Sequence, residues 1–427
     1  MAGHQVVIVG AGQAGSDTAA ALRARGFDGG VLLIGDELPV PYQRPPLSKA
    51  YLSGKAVPGE LELRPEDFYP AQGIERVSGD RVTSIDRDAS QVLLASGRTL
   101  RYDSLVLATG ARPRPLPVPG TGLAGVLSLR SLADADVLRR ELSGAAHLVV
   151  IGAGFIGMEL AATATGLGVR TTVVEAGSRV LGRTVTSHVS EFLTAEHAAR
   201  DVRILPGTEV TGLDGDREGH VRVVELNDGR RIPADVVVVG IGVLPSVDLA
   251  ADAGLDVGDG VIVDASLRTS DPAVYAIGDC ARFPTPHAPH TAGTLRLESV
   301  QNASDQARCV AAALCGEPVP YTAVPWFWTE QYDLRVQIAG ITGGHDRTVT
   351  VGDPAGRRFS VLCFRGDRLV GTESVNRPAD HMITRRLLAS DATGPSPEEA
   401  ARPGFDLKTW QAQASATPAP AAARTAV

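Results

Sequence analysis

The sequence VVIVGAGQAG, residues 6–15, recurs in outline as VVIGAGFIG, residues 149–157, and this repeat decides the fold. In each copy an apolar strand runs into a GxGxxG turn and then into a helix rich in small residues. The first glycine permits the tight turn, the second lets the backbone approach a pyrophosphate, and the third lets helix and strand pack closely. Free amides at the helix N-terminus complete a phosphate site. The repeat therefore predicts two dinucleotide sites, for which a flavin and a nicotinamide are the obvious pair. The candidate contacts are Gly10, Gly12, Ala14 and Gly15 in the first turn and Gly152, Gly154 and Gly157 in the second.

Acidic residues follow the second strand of each unit, about 20 residues beyond the turn, where a ribose hydroxyl acceptor is expected. They are Asp36 or Glu37 in the first unit and Glu175 in the second. A carboxylate at the second site repels the extra phosphate of NADPH and accepts a hydrogen bond from the bare ribose of NADH. Arg179 and Arg183 lie a few residues beyond and partly offset that repulsion. The pattern favours NADH.

Length and charge bound the function. The chain has 427 residues, a formal net charge of −8 and 44% hydrophobic residues, which predicts two or three domains and argues against nucleic acid as a partner. The first strand begins almost at once, and no apolar stretch reaches the ~18 residues of a membrane helix. We expect a soluble, cytoplasmic protein with no membrane partner. The four cysteines lack CxxC spacing and are expected to be buried or half-buried thiols; they are Cys280, Cys309, Cys315 and Cys363.

Beyond the glycines, the two halves share a second phrase. DSLVLATG, residues 103–110, is mirrored by DVVVVGIG, residues 235–242, which extends the repeat. The run YAIGDC, residues 275–280, predicts a buried strand that stops at Gly-Asp. Residues 82–100 predict a hairpin that turns at 86–90, and alternation after Trp326 predicts an antiparallel sheet.

Together these residues resemble the FAD-dependent, NADH-utilising ferredoxin reductases that serve cytochrome P450 and aromatic-ring dioxygenase systems. That family is a branch of the glutathione-reductase-like flavoproteins with two dinucleotide sites. The resemblance covers residues 5 to about 405. Its motifs are PYQRPPLSKAYL (41–52), LVLATGARPR (105–114), VVIGAGFIGMELA (149–161), YAIGDCARF (275–283), RLESVQNASDQA (296–307) and PWFWTEQYDLRVQIAG (325–340).

The resemblance implies an α/β fold with two Rossmann-like dinucleotide-binding domains, the second inserted in the first, and a C-terminal α+β interface domain. The expected boundaries are 1–113 and 246–320 for the FAD domain, 114–245 for the NADH domain, 321–410 for the interface domain and 411–427 for a disordered tail.

Residue roles also come from the resemblance. Lys49 is expected beside the flavin, where a cation favours the reduced ring, with Glu159 as its partner and as a neighbour of the nicotinamide. Without the family, Lys49 reads as a solvated loop cation and Glu159 as a polar residue suited to the helix dipole. Asp279 is expected to accept hydrogen bonds from the ribityl chain, or else to cap a helix ahead of Ala281.

A helix is expected to open at residues 298–302, with Val300 and Gln301 nearest the isoalloxazine. Trp326 and Trp328 are expected on one strand face, either beside the flavin as catalytic neighbours that meet an arriving partner or as packing in the interface domain. The remaining candidate cofactor contacts are Arg44, Thr109, Gly110, Arg130, Arg183 and Gly242.

Residues 40–55 contain no cysteine, which excludes a dithiol relay at that position. His287 and His290 have loop spacing without carboxylate ligands nearby and are expected to be surface residues, so no metal site is predicted.

The expected reaction is hydride transfer from NADH to FAD, followed by single-electron transfer to a [2Fe-2S] or [3Fe-4S] ferredoxin that supplies a cytochrome P450 or another oxygenase. Reductases of monodehydroascorbate or rubredoxin, and an NADH-sensing flavoprotein, are the alternatives. The family permits a monomer or a dimer.

Overall fold

The computed structural model describes residues 3–287, 293–390 and 392–416, without the side chains of 415 and 416. Contacts divide the chain into two compact units. The first contains Met1–Gly182 and Leu193–Ala323, and the second contains Arg183–Phe192 and Val324–Val427. The predicted α/β class is confirmed, because the first unit contains two parallel sheets accompanied by helices.

A parallel sheet forms the core around the first Gly-rich turn. Its strands, numbered along the chain, are β1 (Gln5–Val9), β2 (Gly30–Gly35), β3 (Ile74–Ser78), β7 (Ser104–Leu107) and β20 (Val274–Ala276). They lie in the spatial order β20-β7-β1-β2-β3. The continuous apolar runs of β1, β2 and β7 are buried, as expected of a parallel sheet covered on both faces. The accompanying helices are α1 (Gln13–Ala24), α2 (Phe68–Ala71) and α7 (Val300–Leu314).

A second parallel sheet surrounds the second Gly-rich turn. Its strands are β9 (Val126–Leu127), β10 (His147–Ile151), β11 (Arg170–Glu175), β12 (Arg203–Pro206) and β16 (Val236–Val239), in the order β12-β11-β10-β16-β9. The helices of this part are α3 (Leu132–Leu142) and α4 (Phe155–Gly166), while the first half of α5 (Ser187–Ala198) clusters with the second unit. The two halves are thus built on the same plan, as the sequence repeat predicts.

Smaller sheets complete the first unit. The predicted hairpin is confirmed by β4 (Val82–Asp86) and β5 (Gln91–Leu94), to which β6 (Thr99–Arg101) adds a third strand. A second antiparallel sheet contains β13 (Val210–Gly215), β14 (Val221–Leu226) and β15 (Arg231–Pro233). Short strands β18 (Val257–Gly258), β19 (Gly260–Ile262), β21 (Ala281–Pro284) and β22 (Thr294–Leu295) form a third sheet, and helix α6 (Asp248–Asp252) precedes them.

Two antiparallel strands join the parts that carry the two parallel sheets. Strand β8 (Ala111–Pro113) pairs with β17 (Val243–Pro245), so the chain leaves the first sheet and returns to it side by side. The sequence between these strands contains the whole second sheet, while β20 returns to the first. In the sequence, the second parallel sheet therefore lies between two segments that contribute strands to the first.

The second unit is an antiparallel sheet with helices. Its strands are β23 (Trp326–Gln331), β24 (Leu334–Gly340), β25 (Arg347–Asp353), β26 (Arg358–Arg365) and β27 (Arg368–Val375), in the order β23-β24-β27-β26-β25. They confirm the sheet predicted after Trp326. Helices α8 (Pro378–Leu388), α9 (Pro397–Ala400) and α10 (Leu407–Ala416) follow. Among the described residues, no helix combines the length and the apolar character that crossing a bilayer requires.

Two expectations about boundaries differ from the structure. Residues 183–192, expected in the NADH domain, cluster with the second unit, where Glu373 accepts hydrogen bonds from the backbone nitrogen and hydroxyl of Thr186. Helix α10 continues to Ala416, so the disordered tail does not begin at 411. The rest of that predicted tail, 417–427, lies outside the described residues.

Candidate functional site

The first and third glycines of each turn have closed surroundings. Gly10 and Gly152 adopt φ of +111° and +102°, a conformation that favours glycine. A Cβ at Gly15 would come within 1.9 Å of the Gly10 carbonyl oxygen, and one at Gly157 within 2.1 Å of the Gly152 carbonyl oxygen. The tight turn and the close helix packing that the motif predicts are therefore both present.

The middle glycine of each turn has open space where a side chain would lie. A Cβ at Gly12 or Gly154 would meet nothing within 4 Å. These glycines are the N-caps of α1 and α4, two fully described helices that have no side-chain cap and no acidic residue in their first turns. Uncapped amides beside an open backbone suit a pyrophosphate, so both turns fit the dinucleotides that the sequence predicts. Ala14, in the first turn of α1, is buried.

The strands of the second repeated motif, residues 103–110 and 235–242, lie beside the two Gly-rich turns in the same register. Strand β7 pairs with β1 and strand β16 with β10, both parallel. A Cβ at Gly10 would lie 2.1 Å from the carbonyl oxygen of Ala108, and one at Gly152 would lie 2.5 Å from that of Gly240. The backbone that follows each of these strands therefore passes so close to the Gly-rich turn that the turn has no room for a Cβ.

The Glu175 carboxylate contacts the backbone of the second Gly-rich turn. Its Oε2 accepts from the backbone nitrogen of Ala153 at 2.6 Å, and its Oε1 accepts from that of Gly177 at 2.7 Å. The carboxylate therefore lies at the edge of the cradle, as a ribose acceptor would. Arg179 donates to the Gly182 carbonyl at 2.8 Å, and Arg183 is exposed.

The two acids that follow strand β2, Asp36 and Glu37, have different partners. Asp36 pairs with Arg81 at 2.7 Å on the surface. Glu37 accepts from the Tyr42 hydroxyl and from Arg44, both at 2.5 Å. Burial, with the Glu37 carboxylate, raises the pKa of Tyr42 well above its usual range, against the opposing effect of Arg44. Of the two acids, Glu37 lies in a half-buried network and Asp36 does not.

Asp279 continues that network. Its carboxylate lies 3.0 Å from Arg130, whose carbonyl oxygen accepts from Arg44 at 2.5 Å. Burial alone lowers the pKa of Arg44, but Tyr42, Glu37 and Asp279 raise it above the ordinary value. Ala281 begins strand β21, so Asp279 is not the cap of an α-helix there. The run of residues 275–280 forms β20 and then a 3-10 turn at Gly278–Cys280, as predicted.

Lys49 and Glu159 form an ion pair. Nζ lies 2.7 Å from Oε2, and the side chains are 18% and 7% exposed. The predicted partnership is confirmed, and neither residue is a solvated surface charge. Ser48, which the sequence reasoning did not select, donates to the same Oε2 at 2.5 Å. Its place next to Lys49 in PPLSK is the signal that was available.

Helix α7 begins at Val300, as predicted, with Ser299 as its N-cap. Val300 is half-buried, and Gln301 donates to Asp305 on the same helix. Thr109 donates to the Ser246 carbonyl at 2.7 Å. Gly110 and Gly242 adopt φ of +69° and +101°, next to strands β8 and β17 respectively.

In the second unit, Trp326 and Trp328 share one face of β23, as predicted. Their ring centroids are 5.6 Å apart and both side chains are half-buried. The Arg385 guanidinium lies 4.6 Å from the Trp326 ring centroid, and the His381 ring meets the same indole edge-on at 5.5 Å. The pair is thus part of an aromatic cluster within its own unit.

The cysteines are free, with Cys280, Cys309 and Cys363 buried and Cys315 half-buried, as predicted. No group of residues suited to a metal ion occurs in the described ranges. His287 is half-buried, 3.1 Å from the Thr322 carbonyl oxygen, and His290 lies outside the described residues.

Two protein families match the chain. The pyridine nucleotide-disulphide oxidoreductase family matches residues 4–307, and the reductase C-terminal family matches residues 326–411. Rhodocoxin reductase from Rhodococcus erythropolis is 48% identical over 403 residues, which cover 94% of this chain and 93% of that protein.

Solved structures agree. A ferredoxin reductase for the CYP199A2 system from Rhodopseudomonas palustris is 48% identical, with a TM-score of 0.91 over 95% of this chain and 99% of that chain. The covalent complex of putidaredoxin reductase with putidaredoxin gives 42% identity and a TM-score of 0.93, covering 98% of this chain and 100% of the matched one. The similarity extends over both Gly-rich turns and the C-terminal sheet.

Proposed function

This chain belongs to the pyridine nucleotide-disulphide oxidoreductase family, and we propose that it is an NADH-dependent flavoprotein that reduces a small iron–sulfur ferredoxin. The observation that carries the proposal is the presence of two open phosphate cradles, at Gly12 and Gly154, in one unit. The Lys49–Glu159 ion pair joins the loop after the first cradle to the helix that begins at the second.

The first cradle is assigned to FAD. The α1 amides at Gly12 would hold its pyrophosphate, Glu37 or Asp36 its ribose, and Asp279 its ribityl chain. Lys49 would place a positive charge near the ring. Arg44 forms an ion pair with Glu37, and Arg130 forms one with Asp279. The FAD domain would be formed by residues 1–113 and 246–320.

The second cradle is assigned to NADH. Its α4 amides would bind the pyrophosphate and Glu175 the bare ribose. Because both oxygens of Glu175 already accept backbone hydrogen bonds, the carboxylate is held at the rim of this cradle and would repel a 2′-phosphate. Residues 114–182 and 193–245 would form this domain.

A bound flavin supplies the chemistry that connects a two-electron donor to a one-electron acceptor. The protein contributes position and charge: cradle amides bind the phosphates, and Lys49 sets the local potential with Glu159 balancing its charge. The 40–55 loop contains no cysteine, so electrons would leave for an external carrier. Trp326 and Trp328, on the first strand of the C-terminal sheet in the second unit, are proposed to meet that carrier.

We place the activity in the cytoplasm, where free NADH is available, and a P450 or another oxygenase downstream of the ferredoxin. The test is anaerobic: mix the purified holoprotein with NADH and a [2Fe-2S] ferredoxin, and follow bleaching of the cluster. Catalytic bleaching is expected. Reduction of the protein without bleaching, followed by turnover with rubredoxin or an ascorbyl radical source, would move the function to another acceptor, and reduction without turnover of any acceptor would indicate a sensor.

A further inference from the structure

One face of helix α4 holds the short turn Pro45–Ser48 against it. Thr163 Oγ1 donates to the Ser48 carbonyl oxygen at 2.7 Å, and Ser48 Oγ donates to Glu159 Oε2 at 2.5 Å. Glu159 and Thr163 are four residues apart, so they project from the same side of the helix. Ser48 therefore contacts α4 twice, once through its backbone and once through its hydroxyl.

The same turn carries Lys49. Its backbone nitrogen donates to the Pro46 carbonyl at 3.0 Å, and its Nζ reaches Glu159 Oε2 at 2.7 Å. Pro45 and Pro46 restrict φ at the start of the turn. The Ser48 carbonyl belongs to the planar peptide unit that joins Ser48 to Lys49, so a change in its position also moves the backbone nitrogen of Lys49.

We propose that Ser48 and Thr163 are positioning residues that fix Lys49 against Glu159 at the junction of the two nucleotide sites. This inference rests on the proposed function. Ser48, 4% exposed, donates to the same Glu159 Oε2 as the Lys49 ammonium and so helps to fix the orientation of that carboxylate. Thr163, four residues beyond Glu159, fixes the position of the Pro45–Ser48 segment along the axis of α4.

The expected consequence is kinetic rather than a loss of binding. Neither hydroxyl lies in a Gly-rich turn, so the phosphate cradles keep their amides when one is removed. Transfer between two bound partners is sensitive to displacements of about 1 Å, which can lower a rate 10²-fold. Loss of the Thr163 hydroxyl is expected to lower the rate of reduction by NADH about tenfold, with less than a twofold change in the NADH dissociation constant.

The chain offers a matched control. Thr165 lies two residues farther along α4, and its Oγ1 is buried with no hydrogen-bond partner in the described structure. The test compares Thr163→Val, which removes the hydroxyl at nearly constant volume, with Thr163→Ser, which keeps it, and with Thr165→Val. Ser48→Ala removes the direct donor to Glu159.

For each holoprotein, single-turnover reduction by NADH is measured across NADH concentrations, so that binding separates from the limiting rate. Hydrogen exchange is measured in a peptide that covers residues 45–56. Thr163→Val and Ser48→Ala are expected to lower the limiting rate, and Thr163→Val to speed exchange in that peptide. Thr163→Ser should return the rate to within about twofold of wild type, and Thr165→Val should match wild type.

A Thr163→Val rate equal to that of wild type overturns the proposal even if exchange increases, because the contact would then be structural only. Equal slowing in Thr163→Val and Thr165→Val also overturns it. If NADH does not reduce the wild-type protein, the proposed function fails instead. The exchange comparison would then decide separately whether Thr163 holds the turn, and unchanged exchange would reject that contact.

Discussion

Lys49 Nζ lies 2.7 Å from Glu159 Oε2, although the two residues are 110 positions apart in the chain. The pair connects the loop that follows strand β2 with helix α4, which begins at the second Gly-rich turn. An ion pair this far from solvent depends on both partners, because removing one leaves the other charge uncompensated. It is therefore the natural point at which to test the mechanism.

Replacing Lys49 with alanine is expected to slow reduction by NADH at least tenfold, equivalent to ~1.4 kcal/mol in the barrier, while FAD remains bound. The positive charge is lost, but the cradle amides are not. Stopped-flow reduction and the FAD-to-protein absorbance ratio are the measurements. Lys55→Ala, at an exposed position in the same region, is the control. Wild-type kinetics in Lys49→Ala would remove this residue from the mechanism.

Alanine substitutions at Gly12 and at Gly10 should affect different properties, FAD binding in the first case and folding in the second. Gly12→Ala has space for its methyl group in the protein, so it should fold and bind FAD at least tenfold more weakly, ~1.4 kcal/mol. Gly10→Ala combines φ of +111° with a Cβ placed 2.1 Å from the Ala108 carbonyl, and should lower protein yield or melting temperature. Gly59→Ala, which meets nothing within 4 Å, serves as the reference. Full FAD occupancy in Gly12→Ala would contradict the cradle.

Glu175→Ser should raise the ratio of kcat/KM for NADPH to that for NADH about tenfold or more, ~1.4 kcal/mol, because a fixed negative charge leaves the ribose site. The measurement is steady-state turnover with each nucleotide. The exposed Glu209→Ser variant controls for net charge. An unchanged ratio would show that nucleotide specificity is set elsewhere.

Acid should destabilise the protein partly through His381. Burial, and then Arg385 and Arg335, lower the pKa of this histidine to about 4. Because the unfolded histidine binds a proton below pH ~6.5, its contribution is complete above that pH and is lost as pH falls toward 4. At pH 5 the loss is about 2 kcal/mol.

His381→Met should therefore lose less unfolding free energy than wild type between pH 7.5 and pH 5. Denaturant unfolding at both pH values measures this difference, with the exposed His220→Met as control. Parallel pH dependence in His381→Met and wild type would mean that His381 does not titrate as its burial implies.

Salt should slow electron delivery to the carrier. Ferredoxins are commonly acidic, and exposed arginines are the expected docking groups, so kcat/KM for ferredoxin should fall as ionic strength rises. Single-turnover reduction by NADH, which needs no protein partner, is the internal control. A ferredoxin rate insensitive to salt would reject electrostatic docking.

Much of the fold follows from the sequence because its signals are local. A glycine with positive φ at Gly10 or Gly152, an apolar strand before it and a small-residue helix after it are each encoded within about 20 residues. The Lys49–Glu159 pairing was also predictable, but only through family resemblance, since nothing local relates two charges so far apart.

The sequence by itself determined the α/β class, the two cradles, the acids beside them and the antiparallel sheet at the end. Only the tertiary structure decided which hydroxyls contact the turn before Lys49, that residues 183–192 cluster with the C-terminal unit, and that Glu37 rather than Asp36 joins the half-buried network. The physical reason is distance along the chain. Hydrogen bonds such as Thr163 to Ser48 or Thr186 to Glu373 join residues more than a hundred positions apart, and a polar side chain carries no mark of a partner until packing brings the two together.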